Sequence, residues 1–258
     1  MSVIRTPDWR WPLRLAERSR AAGLAFVLLL YAVGVAVHMF LRGHADNLGQ
    51  PSITADSLER FLFHGVPSLW LQRWTPDGAA INFLAAVLHS SFFFVPLALT
   101  LLVFARLGAR AAIEIVLLQL LLFFSADAFY ALCPTQPPWM DHNVARVIKT
   151  VYGDGTAVDD NALAAIPSLH AAIPALLTVW FARQRDARLR GLTPFLALWT
   201  VATAWALVYS GEHYLVDVLA GAAWAAAVCA LPALRFARSR RNRPLAQPAP
   251  ARGFLTND

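Results

Sequence analysis

Charge is scarce in this chain of 258 residues: Asp, Glu, Lys and Arg together make up 15% of it, while 58% is hydrophobic. An ordinary soluble domain carries about 25% charged residues, so the composition points away from a water-soluble globule and towards a bilayer. Cysteine is scarcer still, with two residues, Cys133 and Cys229. The hydropathy pattern sets them at different depths, which argues against a disulfide between them and against redox chemistry. No internal repeat is visible. No small-x-small cleavage site follows the first apolar run, which at 21 residues is also longer than the roughly 7 to 15 of a secretory signal core, so it reads as a retained helix.

What the chain has in abundance is apolar runs, at about residues 21–41, 79–105, 111–132, 163–182, 192–210 and 214–235. Each is near the roughly 20 residues a spanning helix needs, so the expected fold is all-α, a polytopic membrane protein with six transmembrane helices. Residues 1–20 are expected to form a cytoplasmic N-terminal segment, 21–243 the six-helix membrane domain, and 244–258, rich in Pro and Ala, a disordered tail. Seventeen arginines fall on one side of these helices. Arg5, Arg10, Arg14, Arg18 and Arg20 precede the first, Arg106 and Arg110 join the second and third, Arg183, Arg185, Arg188 and Arg190 join the fourth and fifth, and six from Arg235 to Arg252 follow the last. Only Arg42, Arg60, Arg73, Arg146 and Lys149 fall on the other, so both termini are expected in the cytoplasm. The formal charge of +6 is then mostly anchoring, and without interleaved aromatics on one face it gives no nucleic-acid surface.

The opposite, exoplasmic side holds most of the acids: Asp46, Asp56, Glu59, Asp77, Asp141, Asp154, Asp159, Asp160 and Glu212. In the first outer loop, Ser52, Thr54 and Asp56 precede Leu58-Glu59-Arg60-Phe61-Leu62-Phe63, the pattern of a capped amphipathic helix in the interface, with Trp70 and Trp74 as headgroup-level anchors. The second outer loop opens with Cys133-Pro134-Thr135-Gln136-Pro137-Pro138-Trp139-Met140, a stiff run suited to walling a site.

Two polar islands interrupt the apolar helices on that side: Pro167-Ser168-Leu169-His170, and Gly211-Glu212-His213-Tyr214-Leu215-Val216-Asp217. His213 and Asp217 are four apart and share a helix face, so the carboxylate can hold one imidazole nitrogen while the other points outward. Ser168 and His170 stand where the amides of a helix start favour an anion such as phosphate, and Pro174 releases the carbonyl of His170 and bends the helix there. The remaining histidines, His38, His44, His64, His89 and His142, read singly as satisfied polar residues.

Together the islands resemble the second and third signatures of the type 2 phosphatidic acid phosphatase superfamily, PSGH and SRxxxxxHxxxD, over roughly residues 79–235. Leu169 in place of Gly, the Pro137-Pro138-Trp139 loop and Tyr214 are similar to the branch containing inositol phosphorylceramide synthases. The resemblance implies that His213 attacks phosphorus to give a phosphohistidine, Asp217 orients it, and His170 protonates the leaving oxygen, with no metal or other cofactor. The substrate implied is a phospholipid or polyprenyl (pyro)phosphate at the exoplasmic face of a cytoplasmic membrane, with transfer to a lipid alcohol favoured over transfer to water.

The chain departs from the family where phosphate charge is neutralised. Leu207 stands at the position of the third signature's Arg, and the basic residues of the first signature have no counterpart around Cys133 to Met140. The expected substrate-binding set is therefore Ser168, Arg146, Lys149, Gly211, Glu212, Trp139 and Asp127. Asp127, costly inside a bilayer, is expected to face inward and either bind a substrate hydroxyl or satisfy a neighbouring helix. On sequence alone a metal-dependent hydrolase using His170, His213 and Asp217 as ligands, and a transporter or scaffold, remain open, as does the oligomeric state.

Overall fold

The computed structural model describes residues 19–45, 49, 51–76, 78–141, 143–153 and 161–241. Arg5, Arg10, Arg14, Arg18, Arg243, Arg252, the tail 244–258, and Asp46, Asp77, His142, Asp154, Asp159 and Asp160 lie outside the described residues.

All six apolar runs are helical. They are α1 (Arg20–Gly43), α4 (Ala79–Leu107), α5 (Ala109–Leu132), α8 (Leu169–Ala182), α10 (Thr193–Tyr209) and α11 (Leu215–Arg241). Short helices α2 (Asp56–Phe63), α3 (Pro67–Trp74), α6 (Pro138–Asp141), α7 (Val147–Tyr152) and α9 (Ala187–Arg190) lie in the connections. The oxygen of Ser19 caps α1 by accepting from Ala22 N at 3.0 Å. Gly108, at φ +84°, makes the turn between α4 and α5 that a β-carbon would strain.

Four of the helical segments, at 20–43, 79–107, 109–132 and 187–209, are long and apolar enough to cross a membrane; α8 and the 215–231 part of α11 are apolar but shorter. The run expected from residue 163 becomes helical only at Leu169. Pro167 lacks an amide proton and biases the residue before it away from helix, and the amide of Ser168 is committed to the Asp217 carbonyl at 3.1 Å. At 1.5 Å per residue, α8 is then about 21 Å long, short of the ~30 Å hydrocarbon core.

Helix α8 packs against both α10 and α11, α1 lies along α5, and α4 touches α5 and α10. The main core, from Val27 through Ile115, Leu122, Ile173, Leu177 and Phe181 to Ala225, runs between them. Large apolar residues such as Phe94, Leu198 and Val201 are exposed on the outer faces, a liability in water and the expected surface in lipid. At Gly221 α11 passes close to the N-cap of α8, where a β-carbon would stand 2.3 Å from the Ser168 carbonyl oxygen.

At one end of the bundle Arg20 donates to the Ala105 carbonyl, and Arg183 to that of Cys229. Both cysteines are free thiols. At the other end the loops are laced by backbone. Strand β1 (Ile53–Thr54) pairs in parallel with β2 (Thr135–Gln136), and Thr135 bridges onward to Ala164. The amphipathic segment around Leu58 forms α2 as expected, but its N-cap is Ala55, which makes no side-chain cap; Thr54 Oγ1 accepts from the Asp56 amide at 3.3 Å, and Glu59 is fully buried.

Candidate active site

Three loop-to-helix junctions converge at the laced end. His213 precedes α11, and Asp217 sits in the first turn of that helix with its Oδ2 accepting from the Tyr214 amide at 2.9 Å. His213 Nδ1 lies 3.5 Å from the same Oδ2, within ion-pair reach and longer than a well-formed hydrogen bond. Such contacts are often loose before substrate arrives. With Nδ1 facing Asp217, Nε2 is the nitrogen left for chemistry.

His170, second residue of α8, has its ring centroid 6.1 Å from that of His213. It stacks on His89 of α4 at 4.3 Å and 20° and lies against Phe92, also 4.3 Å away. His170 Nε2, Ser168 Oγ and Asp217 Oδ1 are buried with no hydrogen-bond partner in the structure. Orphaned buried polar atoms cost roughly 1–3 kcal/mol each, so their concentration at one place is what a polar ligand relieves.

His170 and His213 open onto one cleft of about 410 Å³, counting the open solvent at its mouth. Its other walls include Phe92, Phe93, Tyr130 and Leu169, and from α1 His38, Met39 and Arg42. Reading the histidines singly missed this: the fold brings His89 against His170 and His38 into the cleft. Arg42 Nη2 donates to the Asn161 carbonyl at 3.1 Å while Asn161 Nδ2 donates to the Arg42 carbonyl at 2.9 Å, so the end of α1 is fastened beside the cleft. Asp127 faces inward, with Oδ1 and Oδ2 at 2.9 and 3.0 Å from His38 Nδ1.

The other expected substrate ligands form a separate wall. Arg146 donates twice to Glu212, Nε to Oε1 at 2.7 Å and Nη2 to Oε2 at 3.1 Å, and lies 4.4 Å over the Trp139 ring. Neither Arg146 nor Lys149 is among the residues lining the cleft, and Lys149 is exposed on α7. Gly211, at φ +76°, accepts from the Trp139 amide at 3.4 Å; a β-carbon there would meet Val144 Cγ1 at 2.7 Å and the Ala145 carbonyl oxygen at 2.9 Å. Gln72 of α3 pins this wall by bonding Ala145 through both its amide nitrogen and its oxygen, and by donating to the Tyr209 carbonyl. Nothing local in the sequence marks Gln72, because its partners are 73 and 137 residues away.

Two groups at the laced end steady the start of α11. Glu59 Oε1 accepts from the amides of Leu215 and Val216, the latter at 3.3 Å. Burial pushes its carboxyl up to about 7, against the lowering effect of those two amides and with the charges of Asp217 and Asp56 adding to the rise. The Tyr214 hydroxyl bonds Thr54 Oγ1 at 3.0 Å and Asp141 Oδ2 at 3.2 Å, and burial holds its phenol above the ordinary range.

Among the described residues no group of three or more His, Cys, Asp or Glu side chains is arranged to hold a metal ion. The arrangement offers an imidazole backed by a carboxylate, a second imidazole, buried polar atoms without partners, and a guanidinium lining the cleft. Neither a curated protein nor a solved structure matches the chain. The sequence pattern of the PAP2 superfamily, however, matches residues 57–231, two thirds of the chain and all of the polar islands. The chain belongs to the PAP2 superfamily, an all-α membrane family of phosphatase-type enzymes acting on lipid phosphoesters.

Proposed function

We propose that this enzyme transfers a phosphoryl or phospho-headgroup from a phospholipid or polyprenyl (pyro)phosphate to a lipid alcohol, in the manner of the inositol phosphorylceramide synthase branch, through a phosphohistidine on His213. The observation that carries this reading is the convergence of His170 and the His213–Asp217 couple on one cleft walled by Phe92, Phe93 and Leu169. An apolar wall favours an alcohol carried on a lipid over bulk water as the acceptor.

In this reading His213 Nε2 forms a bond to phosphorus as the bond to the leaving oxygen breaks, and His170 supplies that oxygen with its proton. Asp217 holds the Nδ1 proton of His213 and balances the positive ring. Arg42, at the cleft rim, neutralises the phosphate in place of the superfamily arginine whose position is Leu207. Arg146 serves the Glu212–Trp139 wall beside His213, so its effect on phosphate is indirect.

The active site faces the exoplasmic side, with both termini and the arginine-rich helix ends in the cytoplasm and all six apolar helices crossing the membrane. Supporting this, His38, Asp127, His170, His213 and Asp217 all fall at the bundle end away from Arg20, Arg106, Arg110 and Arg183.

The test is lipid mass spectrometry after purified protein, with chelator present, meets phosphatidic acid, a polyprenyl diphosphate and phosphatidylinositol together with diacylglycerol and ceramide. A product made by wild type and lost in His213→Ala is expected. Equal product from both proteins refutes the covalent mechanism.

A further inference from the structure

Resting on that reading, the cleft contains a second histidine–carboxylate couple that it does not use. His38 of α1 and Asp127 of α5 are both almost fully buried, 89 positions apart, with Nδ1 held between the two carboxylate oxygens. The His38 ring is stacked on Phe123 at 4.4 Å and 9°, which fixes its plane. Burying an imidazole and a carboxylate in apolar helices is expensive, and a fastening between helices needs neither group. His38 also lines the cleft that holds His170 and His213. Because Asp127 takes Nδ1, Nε2 is the nitrogen left for a ligand.

We propose that His38, positioned by Asp127, is the general base that receives the proton of the acceptor hydroxyl when the phosphohistidine is discharged. The acceptor oxygen forms its bond to phosphorus while the bond from phosphorus to His213 Nε2 breaks and the electron pair returns to that imidazole. The acceptor proton passes to His38 Nε2, and Asp127 balances the resulting imidazolium. The assignment separates the two halves of the reaction: His170 serves the leaving oxygen, and His38 the incoming one. It also places acceptor activation on α1, which lies before the residues 57–231 that match the family pattern.

The experiment follows the two half-reactions separately, using the donor that the lipid panel identifies, labelled with ³²P. His38→Asn is the informative variant, because an asparagine amide can reproduce the Nδ1 donation to Asp127 but carries no basic nitrogen. It is expected to form acid-labile phosphoenzyme and release the first product at the wild-type rate, then discharge to the acceptor about 10²- to 10⁴-fold more slowly. Added imidazole should restore part of the loss in His38→Ala. Discharge at the wild-type rate by His38→Asn assigns the couple to structure alone and overturns the proposal. If His38→Asn does not fold, Asp127→Asn serves in its place, with slow discharge and normal phosphoenzyme formation as the supporting result and normal discharge as the refuting one. Wild type forming no His213-dependent phosphoenzyme with any donor of the panel overturns the underlying reading, and the proposal with it.

Discussion

Replacing Glu59 with Gln should reverse part of the pH dependence of stability. Glu59 has no exposure, its Oε1 takes the first amides of α11, and its Oε2 has no partner. Burial raises its carboxyl from 4.5 to about 7. A folded-state value above the unfolded one means the fold prefers the protonated acid. That contribution is fully present below pH 4.5 and is lost as pH rises through about 7. At 1.36 kcal/mol per unit, the loss between pH 5 and pH 8 is roughly 2.5 kcal/mol. Gln is neutral throughout and can still accept from Leu215, so the variant does not suffer it. With about 2–4 °C per kcal/mol for a chain of this size, the apparent melting temperature of Glu59→Gln relative to wild type should rise by roughly 5–10 °C between pH 5 and pH 8. Nine tryptophans make intrinsic fluorescence in detergent micelles a suitable reporter. Parallel curves for the two proteins would refute a charge change at Glu59 in this window.

Asp217→Asn should lower kcat by about 10²- to 10⁴-fold with little change in KM, as measured by initial rates, because the proton it holds on His213 is needed in the transition state. Arg42→Ala should lower kcat/KM about 10- to 100-fold through weaker phosphate binding. Arg146→Ala should act mainly by stranding Glu212, so that adding Glu212→Gln restores stability; a double-mutant melting series reads this directly. Gly221→Ala should cost about 1–3 kcal/mol in the melting assay and depress turnover as well, because the new β-carbon forces α11 away from the Ser168 carbonyl.

The six apolar helices were legible because a long apolar run is a property of composition and length, and the His213–Asp217 pairing because the two lie four residues apart, although His213 stands before α11 and not on its face. Asp127 was legible as inward-facing, since its cost in a bilayer follows from its charge. Its partner was not, because the choice of His38 depends on α1 lying along α5, and nothing within ten residues of either encodes that. For the same reason sequence distance points to Arg146 and Lys149 as the basic residues beside the site, whereas in the structure Arg42, at the far end of another helix, is the one that lines the cleft. The late start of α8 was concealed by its hydropathy: Ala164, Ala165 and Ile166 are as apolar as the helix that follows, and the break shows only in Pro167 and in the Ser168 amide committed to Asp217. Two-residue strands such as β1 and β2 are below the length at which alternation can be read at all.

Met39 and Phe93 line the cleft and are also 36% and 41% exposed on the flank of the bundle, on α1 and α4 respectively. Both helices are long and apolar enough to cross a membrane, so a cleft that they border lies within reach of acyl chains, beside loops joined by main-chain hydrogen bonds. A substrate arriving by this route is encountered in two dimensions. Its effective abundance is a mole fraction of the surrounding lipid or detergent, and diluting it with detergent at fixed bulk concentration should slow the enzyme as surely as removing it.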